Sequence, residues 1–276
     1  MTFEFRPAWL FVPGDRPDRY AKAAERADIV IVDLEDAVAP ADKEAARRAL
    51  ADNAASETPL DPDRTVVRVN AADSEHFAAD LAALRALPYT HVMLPKAESA
   101  AGPRALDGFS VIALIETAKG ALGAAEVAAQ DSVVGLMWGA EDLIADLGGG
   151  SSRGPDGAYR AVATHVRSMA LLAGKAHGVF VLDSIWAAIK DLDGLRAEAV
   201  DAVESGFDGK VSIHPSHVPV VREAFAPTAE QAAWARGAIA ASQGAAGAFQ
   251  YEGAMIDEPL LKQARRIVER IPADGA

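Results

Sequence analysis

Cysteine is absent from the chain, so a disulfide scaffold, a thiolate metal site and a cysteine nucleophile are all excluded. Positive charge is scarce, with 27 Lys and Arg against 40 Asp and Glu and a net charge of −13. That balance argues against general attraction to nucleic acid or an anionic membrane, and a polyanionic ligand would need a local basic patch. No segment approaches the roughly 18 uninterrupted apolar residues of a membrane span. Met1 to Arg6 carries acidic and basic residues and no apolar signal core, so a cytoplasmic protein is expected. A G-x-G-x-x-G after the first strand is also missing, which leaves a doubly wound nucleotide-binding sheet as the second choice of fold.

Apolar residues, by contrast, make up half of the 276, enough for one barrel-sized domain or two smaller ones. Short β-rich runs alternate with longer Ala-rich segments of helical periodicity, the pattern of βα units around a parallel sheet. Eight runs read as strands: Trp9 to Val12, Asp28 to Asp33, Thr65 to Val69, His91 to Leu94, Val111 to Ile115, Ser132 to Trp138, Val179 to Leu182 and Lys210 to Ile213. Their continuous apolar character suits strands buried on both faces. Helices are expected over stretches such as Ala41 to Asn53, Glu75 to Ala86, Gly120 to Ala129, Ala158 to Ala173 and Leu195 to Ser205. Eight such repeats in roughly 250 residues predict an α/β fold of the closed (β/α)8, or TIM, barrel type. The Gly148–Ser152 run reads as a loop directly after strand six. Residues 1–226 are assigned to the barrel and 227–276 to a C-terminal helical extension. The extension comprises a helix over 228–243, a Gly-containing hinge over 244–253 and a last helix from about Pro259 to Arg270, and it is expected to reach a neighbouring subunit.

Polar residues concentrate just after the apolar runs. Asp33, Glu35 and Asp36 follow strand two, Arg68 and Asn70 end strand three, Lys96 follows strand four, and Glu116 and Thr117 end strand five. Glu141 and Asp142 follow strand six, Asp183 ends strand seven and His214 ends strand eight. In a barrel these ends meet on one face. Carboxylates gathered there repel unless protonated or neutralised, and a divalent cation answers that most directly. Glu116 and Asp142 are the first choice as ligands, because they come from adjacent strands and leave room for water and substrate oxygens, as magnesium prefers. The competing reading is that these acids only cap the following helices.

Arg68 sits within an apolar strand, where a permanent cation needs either a structural carboxylate or a substrate anion. Lys96 is either a Schiff-base nucleophile or an ion-paired structural lysine. His214 has no matching second histidine to suggest zinc and is assigned a structural or ligand-orienting role. Arg16, Arg19 and Lys22 form a local reversal of charge after strand one, which is either a phosphate-binding patch or a solvated helix face.

Eight stretches then become recognisable in order: Leu10-Phe11-Val12-Pro13-Gly14, Asp33-Leu34-Glu35-Asp36-Ala37-Val38, Val67-Arg68-Val69-Asn70, Met93-Leu94-Pro95-Lys96-Ala97-Glu98-Ser99, Ile115-Glu116-Thr117-Ala118, Gly139-Ala140-Glu141-Asp142-Leu143, Ile213-His214-Pro215 and Met255-Ile256-Asp257. Each is weak alone, but the ordered set spans nearly the whole chain and is specific. The chain resembles the citrate lyase β-subunit-like branch of the HpcH/HpaI aldolase family. The resemblance implies a (β/α)8 barrel, a homotrimer or hexamer, and Mg2+ held by Glu116 and Asp142. It implies that Arg68 contacts substrate, that Arg19 and Lys22 help hold the coenzyme A phosphates, and that Asp257 enters the active site of a neighbouring subunit. Phe11 stands where some relatives have a tyrosine, so a hydroxyl contact to substrate is missing.

The activity expected from this set is magnesium-dependent cleavage of a carbon–carbon bond in a 3-hydroxyacyl-CoA of the citramalyl, malyl, citryl or HMG-like kind. Retro-Claisen chemistry would give a 2-oxo acid or related carbonyl product and an acyl thioester. Asp257 would serve in proton transfer, Arg68 would hold the oxo acid, and Glu35 and Asp36 would orient metal-bound waters. Asp183 joins Arg68, Glu116, Arg19 and Lys22 as a substrate-binding residue. The alternatives are thioester hydrolysis on the same site and a non-catalytic subunit that binds an acyl carrier.

Overall fold

In the computed structural model, residues 6–244 and 247–271 are described. The eight apolar runs form strands β1 (Ala8–Pro13), β2 (Ile29–Asp33), β3 (Thr65–Arg68), β4 (His91–Leu94), β5 (Ser110–Ile115), β6 (Val133–Trp138), β7 (Phe180–Asp183) and β8 (Gly209–Ser212). Every neighbouring pair is parallel, and β1 closes the sheet onto β8 through Ala8↔Lys210 and Leu10↔Ser212. The expected barrel is therefore the fold, in sequence order, and each predicted strand lies within a few residues of an observed one.

A parallel barrel buries both faces of each strand, which is why β2 reads Ile-Val-Ile-Val-Asp with every residue buried. Period-two alternation divides these residues. Trp9, Ile29, Ile31, Val66, Met93, Ile112, Leu114, Met137, Leu182 and Val211 form one buried cluster, while their strand neighbours face the helical layer. Gly135 interrupts β6 because a Cβ there would lie 2.2 Å from the Phe180 ring. The aromatic ring occupies the volume a larger residue would need.

Helices α1 (Tyr20–Arg26), α2 (Lys43–Ala54), α3 (Phe77–Leu84), α4 (Ala101–Arg104), α5 (Ala118–Ala128), α6 (Ala140–Asp146), α7 (Ala161–Ala176), α8 (Leu192–Ser205) and α9 (His217–Phe225) follow the strands. The loop around Gly148–Gly150 does not follow β6 directly as expected. Helix α6 intervenes, because Ala140, Leu143 and Ile144 present an apolar face that is buried.

The described residues part into two compact units, one ending at Val221 and the other beginning at Arg222, within α9. In the second unit α10 (Ala229–Ala241) and α11 (Glu258–Glu269) pack through Ala235, Ala238 and Ala264. Thr228 and Gln231 form a reciprocal capping box that starts α10. A hairpin, β9 (Phe249–Tyr251) with β10 (Ala254–Ile256), begins within the predicted glycine hinge and ends beyond it, turned by Glu252 and Gly253 at φ +48° and +81°. Two residues of positive φ make the tight turn whose twist suits paired strands. No helix among the described residues is long and apolar enough to cross a membrane.

Candidate active site

The carboxyl ends of the barrel strands open onto a cavity of about 790 Å³. Arg68, Glu116 and Asp142 line it together with Asp33, Asp36, Arg19, Lys22 and His214. These sequence-predicted residues come from β1, β2, β3, β5, β6 and β8 or the segments after them, and barrel closure is what brings them together.

Glu116 follows β5 and is 1% exposed. Burial, then the charges of Asp142 and Glu35, push its pKa up to about 8, against the opposing pull of Arg68 and Lys96. Its Oε1 accepts a hydrogen bond of 2.9 Å from the Lys96 backbone N–H. Gly139 ends the approach of β6 to this carboxylate: a Cβ there would stand 2.9 Å from both the Cβ and the Oε2 of Glu116. Asp142 enters from the first turn of α6 and lines the same cavity.

This pair fits magnesium. An acid whose pKa is pushed up by burial and then by a neighbouring carboxylate gains from a divalent cation in place of a proton, and both donors are hard oxygens. Among the described residues no group of three or more His, Asp or Glu side chains could hold a metal by itself. A two-carboxylate set completed by water and substrate oxygens matches the way magnesium is usually bound.

Arg68 ends β3 opposite Asp33 on β2. Its Nε and Nη2 donate to the two Asp33 oxygens at 2.7 and 2.6 Å, a bidentate fork. Its Nη1 lies 3.0 Å from Glu35 Oε2, a charge contact off hydrogen-bonding alignment. The guanidinium also sits 4.7 Å over the Phe11 ring. Burial opposes its charge, but Asp33 and Glu35 outweigh that and raise its pKa. The structural ion pair foreseen for Arg68 is thus present, and the residue also lines the cavity.

Asp33 is further committed to the loop after β2, accepting from the N–H groups of Glu35 (2.9 Å) and Ala37 (3.0 Å). The same loop is held by Lys43, whose ammonium donates to the carbonyls of Leu34 and Glu35 at 2.7 and 2.6 Å, and by Asn70, which donates to Leu34 at 3.0 Å. Glu35 is buried, and burial raises its pKa although Arg68 and Lys96 offset part of the rise. Asp36 is exposed on the cavity wall.

Lys96 donates from Nζ to Glu35 Oε1 at 2.5 Å. Burial would lower its pKa, but the Glu35 carboxylate outweighs burial and raises it. A lysine held as ammonium is not a nucleophile, so the Schiff-base reading gives way to the ion pair. His214 is oriented by Ser216, whose hydroxyl is 2.7 Å from its Nδ1. Of the three early cations, Arg19 and Lys22 line the cavity, whereas Arg16 pairs with Asp18 at 2.9 Å.

Asp183, expected to bind substrate, is placed apart from the residues that line the cavity. It is fully buried and does not line the cavity. Its oxygens accept from Trp138 Nε1 (2.7 Å), Arg167 Nε (2.9 Å) and Lys210 Nζ (3.0 Å). Burial alone would raise its pKa, yet Lys210 and Arg167 hold it below the usual carboxylate range. Strand-end position pointed to the site, but the partners lie on β6, β8 and α7 and were invisible before folding.

Ser152 and Ser184 were missed. Ser152 Oγ donates to Glu141 at 2.7 Å, next to Asp142, and Ser184 Oγ receives the Ala140 N–H at 3.3 Å. Lone serines carry no sequence signal; only the position of Ser184 directly after β7 could have suggested it. Asp257 belongs to the second unit, where it is the N-cap of α11 and accepts from the Leu260 N–H at 3.3 Å.

Residues 8–215 match the model of the HpcH/HpaI aldolase/citrate lyase family, and the chain belongs to that family. A citrate lyase subunit beta-like protein of Mycobacterium tuberculosis is 58% identical over 264 residues, covering 96% of this chain and 95% of the relative. The crystal structure of the protein CitE from Mycobacterium tuberculosis in complex with magnesium, acetoacetate and coenzyme A superposes with a TM-score of 0.89 at 57% identity, covering 96% of this chain and 97% of that one. More distant relatives are a (3S)-malyl-CoA thioesterase of Cereibacter sphaeroides, 34% identical with 97% of this chain and 95% of the relative covered, and the mitochondrial citramalyl-CoA lyase of Rattus norvegicus, 33% identical with 95% and 85% covered.

Proposed function

We propose that this chain is a magnesium-dependent carbon–carbon lyase acting on a 3-hydroxyacyl thioester of coenzyme A, which it cleaves by retro-Claisen chemistry to a 2-oxo acid and an acyl thioester. The observation that carries the reading is the buried Glu116, whose affinity for a proton is raised to about pH 8 by burial and by Asp142 beside it in the cavity. Magnesium held by Glu116 and Asp142 would draw electron density from the 3-hydroxyl and the adjoining carboxylate and so favour passage of the hydroxyl proton to the carboxylate of Asp257, which would later return it to carbon.

The chain's own groups supply the rest. Arg68, whose Nε–Nη2 fork is held by Asp33, would turn the charge of its guanidinium on the cavity wall to the oxo-acid carboxylate. Glu35 and Asp36 would orient water in the site. Arg19 and Lys22 place two cations on the cavity wall of an otherwise acidic protein, suited to the phosphates of coenzyme A. Breaking the C–C bond leaves an electron pair on the α-carbon of the departing thioester, and that carbon must take a proton. Asp257, delivered by a neighbouring subunit of a trimer or hexamer, is assigned as the donor. Release of its cap on α11 would free the carboxyl for that role.

Incubation with a panel of 3-hydroxyacyl-CoA esters and Mg2+ tests the reading: a 2-oxo acid and an acyl-CoA should appear in equal amounts. Free thiol without 2-oxo acid would instead support thioester hydrolysis, the second reading, which the similarity to a malyl-CoA thioesterase favours. No turnover of any ester would sink both.

A further inference from the structure

We propose that Lys96 is the positioning residue for the Glu116 carboxylate, and that it acts through its backbone amide while its ammonium serves a different partner. The inference rests on the reading of Glu116 as a magnesium ligand. Lys96 and Glu252 are the non-glycine residues with positive φ among those described, and Lys96 stands at +49°. Glu252 is explained by its hairpin turn, whereas Lys96 follows β4 in no hairpin. A side chain with a Cβ disfavours the left-handed region, and such residues persist where the surroundings over-determine them, commonly at functional sites.

The surroundings here are specific. Pro95 has no N–H, so the first backbone donor beyond β4 is the Lys96 amide, and it goes to Glu116 Oε1 at 2.9 Å. The next residue is pinned in turn, the Ala97 N–H donating to Leu114 of β5 at 3.0 Å. Glycine would adopt this conformation without strain, but glycine carries no cation, and the Lys96 ammonium is engaged by Glu35 Oε1. That ammonium lies 4.0 Å from Glu116 Oε1, beyond hydrogen-bond reach. One residue therefore performs two separable tasks. Its strained backbone commits Glu116 Oε1 to an amide and would leave Oε2 to hold the metal, and its side chain neutralises Glu35.

The two tasks are separated by comparing Lys96→Gly with Lys96→Val. Both remove the ammonium, but glycine keeps the left-handed backbone and a β-branched residue opposes it. Magnesium binding to the intact protein is measured by titration calorimetry, with circular dichroism and thermal melting as the check on folding. Lys96→Gly should bind Mg2+ within about threefold of wild type, while Lys96→Val should bind about tenfold or more weakly, the range seen when a group that orients a ligand is lost. Should Lys96→Val fail to fold, Lys96→Ala takes its place and should still bind more weakly than Lys96→Gly. Equal affinities in the glycine variant and its partner, whether both wild-type-like or both weakened, would overturn the backbone role. Failure of the wild-type protein to bind Mg2+ would remove the metal reading itself and this inference with it, and that outcome is visible before any variant is made.

Discussion

A carboxyl group as thoroughly shielded as Glu116 keeps its proton up to about pH 8, so binding of a cation there must expel a proton. Calorimetry of Mg2+ binding in buffers of different ionisation enthalpy should show release of about one proton per ion below pH 8, and the affinity should fall about tenfold for each pH unit below that value. A pH-independent affinity would place the metal elsewhere. The same shift acts on stability. Because the folded value lies above the ordinary 4.5, the metal-free native chain binds a proton that the unfolded chain has already lost, and the contribution is complete below the ordinary value and lost as pH rises through about 8. Glu116→Gln should therefore raise the Tm of the metal-free protein most at pH values above 8. Gly139→Ala tests the space beside the carboxylate: its methyl would press on Glu116 Cβ and Oε2, and Mg2+ affinity should drop about tenfold in a protein that still folds. For Arg68→Lys, loss of the fork to Asp33 should lower both oxo-acid affinity and Tm despite retained charge. Unchanged affinity for pyruvate or oxaloacetate would confine Arg68 to its structural ion pair.

Between the strands and helices, a buried charge network does work that the strand-end pattern did not foretell. Lys210 of β8 is fully buried and joins Asp183 of β7 (3.0 Å), Glu198 of α8 (2.8 Å) and the Ser184 carbonyl (2.6 Å). Glu198 passes the link outward to Arg153 at 2.6 Å, and the Arg153 guanidinium lies over Tyr159 at 3.7 Å and Trp186 at 4.3 Å. The loop between α6 and α7 is thereby tied to the barrel beside Ser152, which holds Glu141. Deleting one member of a buried ionic network leaves the others uncompensated, so Lys210→Met should cost roughly 3–5 kcal/mol in urea unfolding. A loss under about 1 kcal/mol would mean that Asp183 and Glu198 are satisfied without it.

On the scale of the whole molecule, the barrel unit and the unit beginning at Arg222 carry different parts of the proposed chemistry. Glu116 and Asp142 belong to the first and Asp257 to the second. If Asp257 works in a neighbour's cavity, Asp257→Asn should leave folding, oligomerisation and Mg2+ binding intact and reduce turnover by about 100-fold or more. Co-assembly of Asp257→Asn subunits with Glu116→Gln subunits should then restore part of the activity, because some sites combine an intact metal pair from one chain with an intact aspartate from another. Verified mixed oligomers with no recovery would leave Asp257 as the α11 cap alone.

Much of this was legible in the sequence, for physical reasons that are local. A parallel barrel demands apolar runs buried on both faces, so the runs are visible one by one, and the convergence of strand ends groups Arg68, Glu116 and Asp142 from the sequence alone. What the chain could not disclose were the choices made between segments distant in sequence. Asp183 and Glu116 both sit at strand ends, yet one meets Lys210 and Arg167 and becomes part of the framework, while the other meets Asp142 and Glu35 and is left short of positive charge. Lys96 offered only its cation to a sequence reading; its left-handed backbone and the aim of its amide appear only once β4 and β5 lie side by side. Residue type sets what a group can donate, accept or ionise, and the tertiary neighbours decide which of those capacities remains unspent for function.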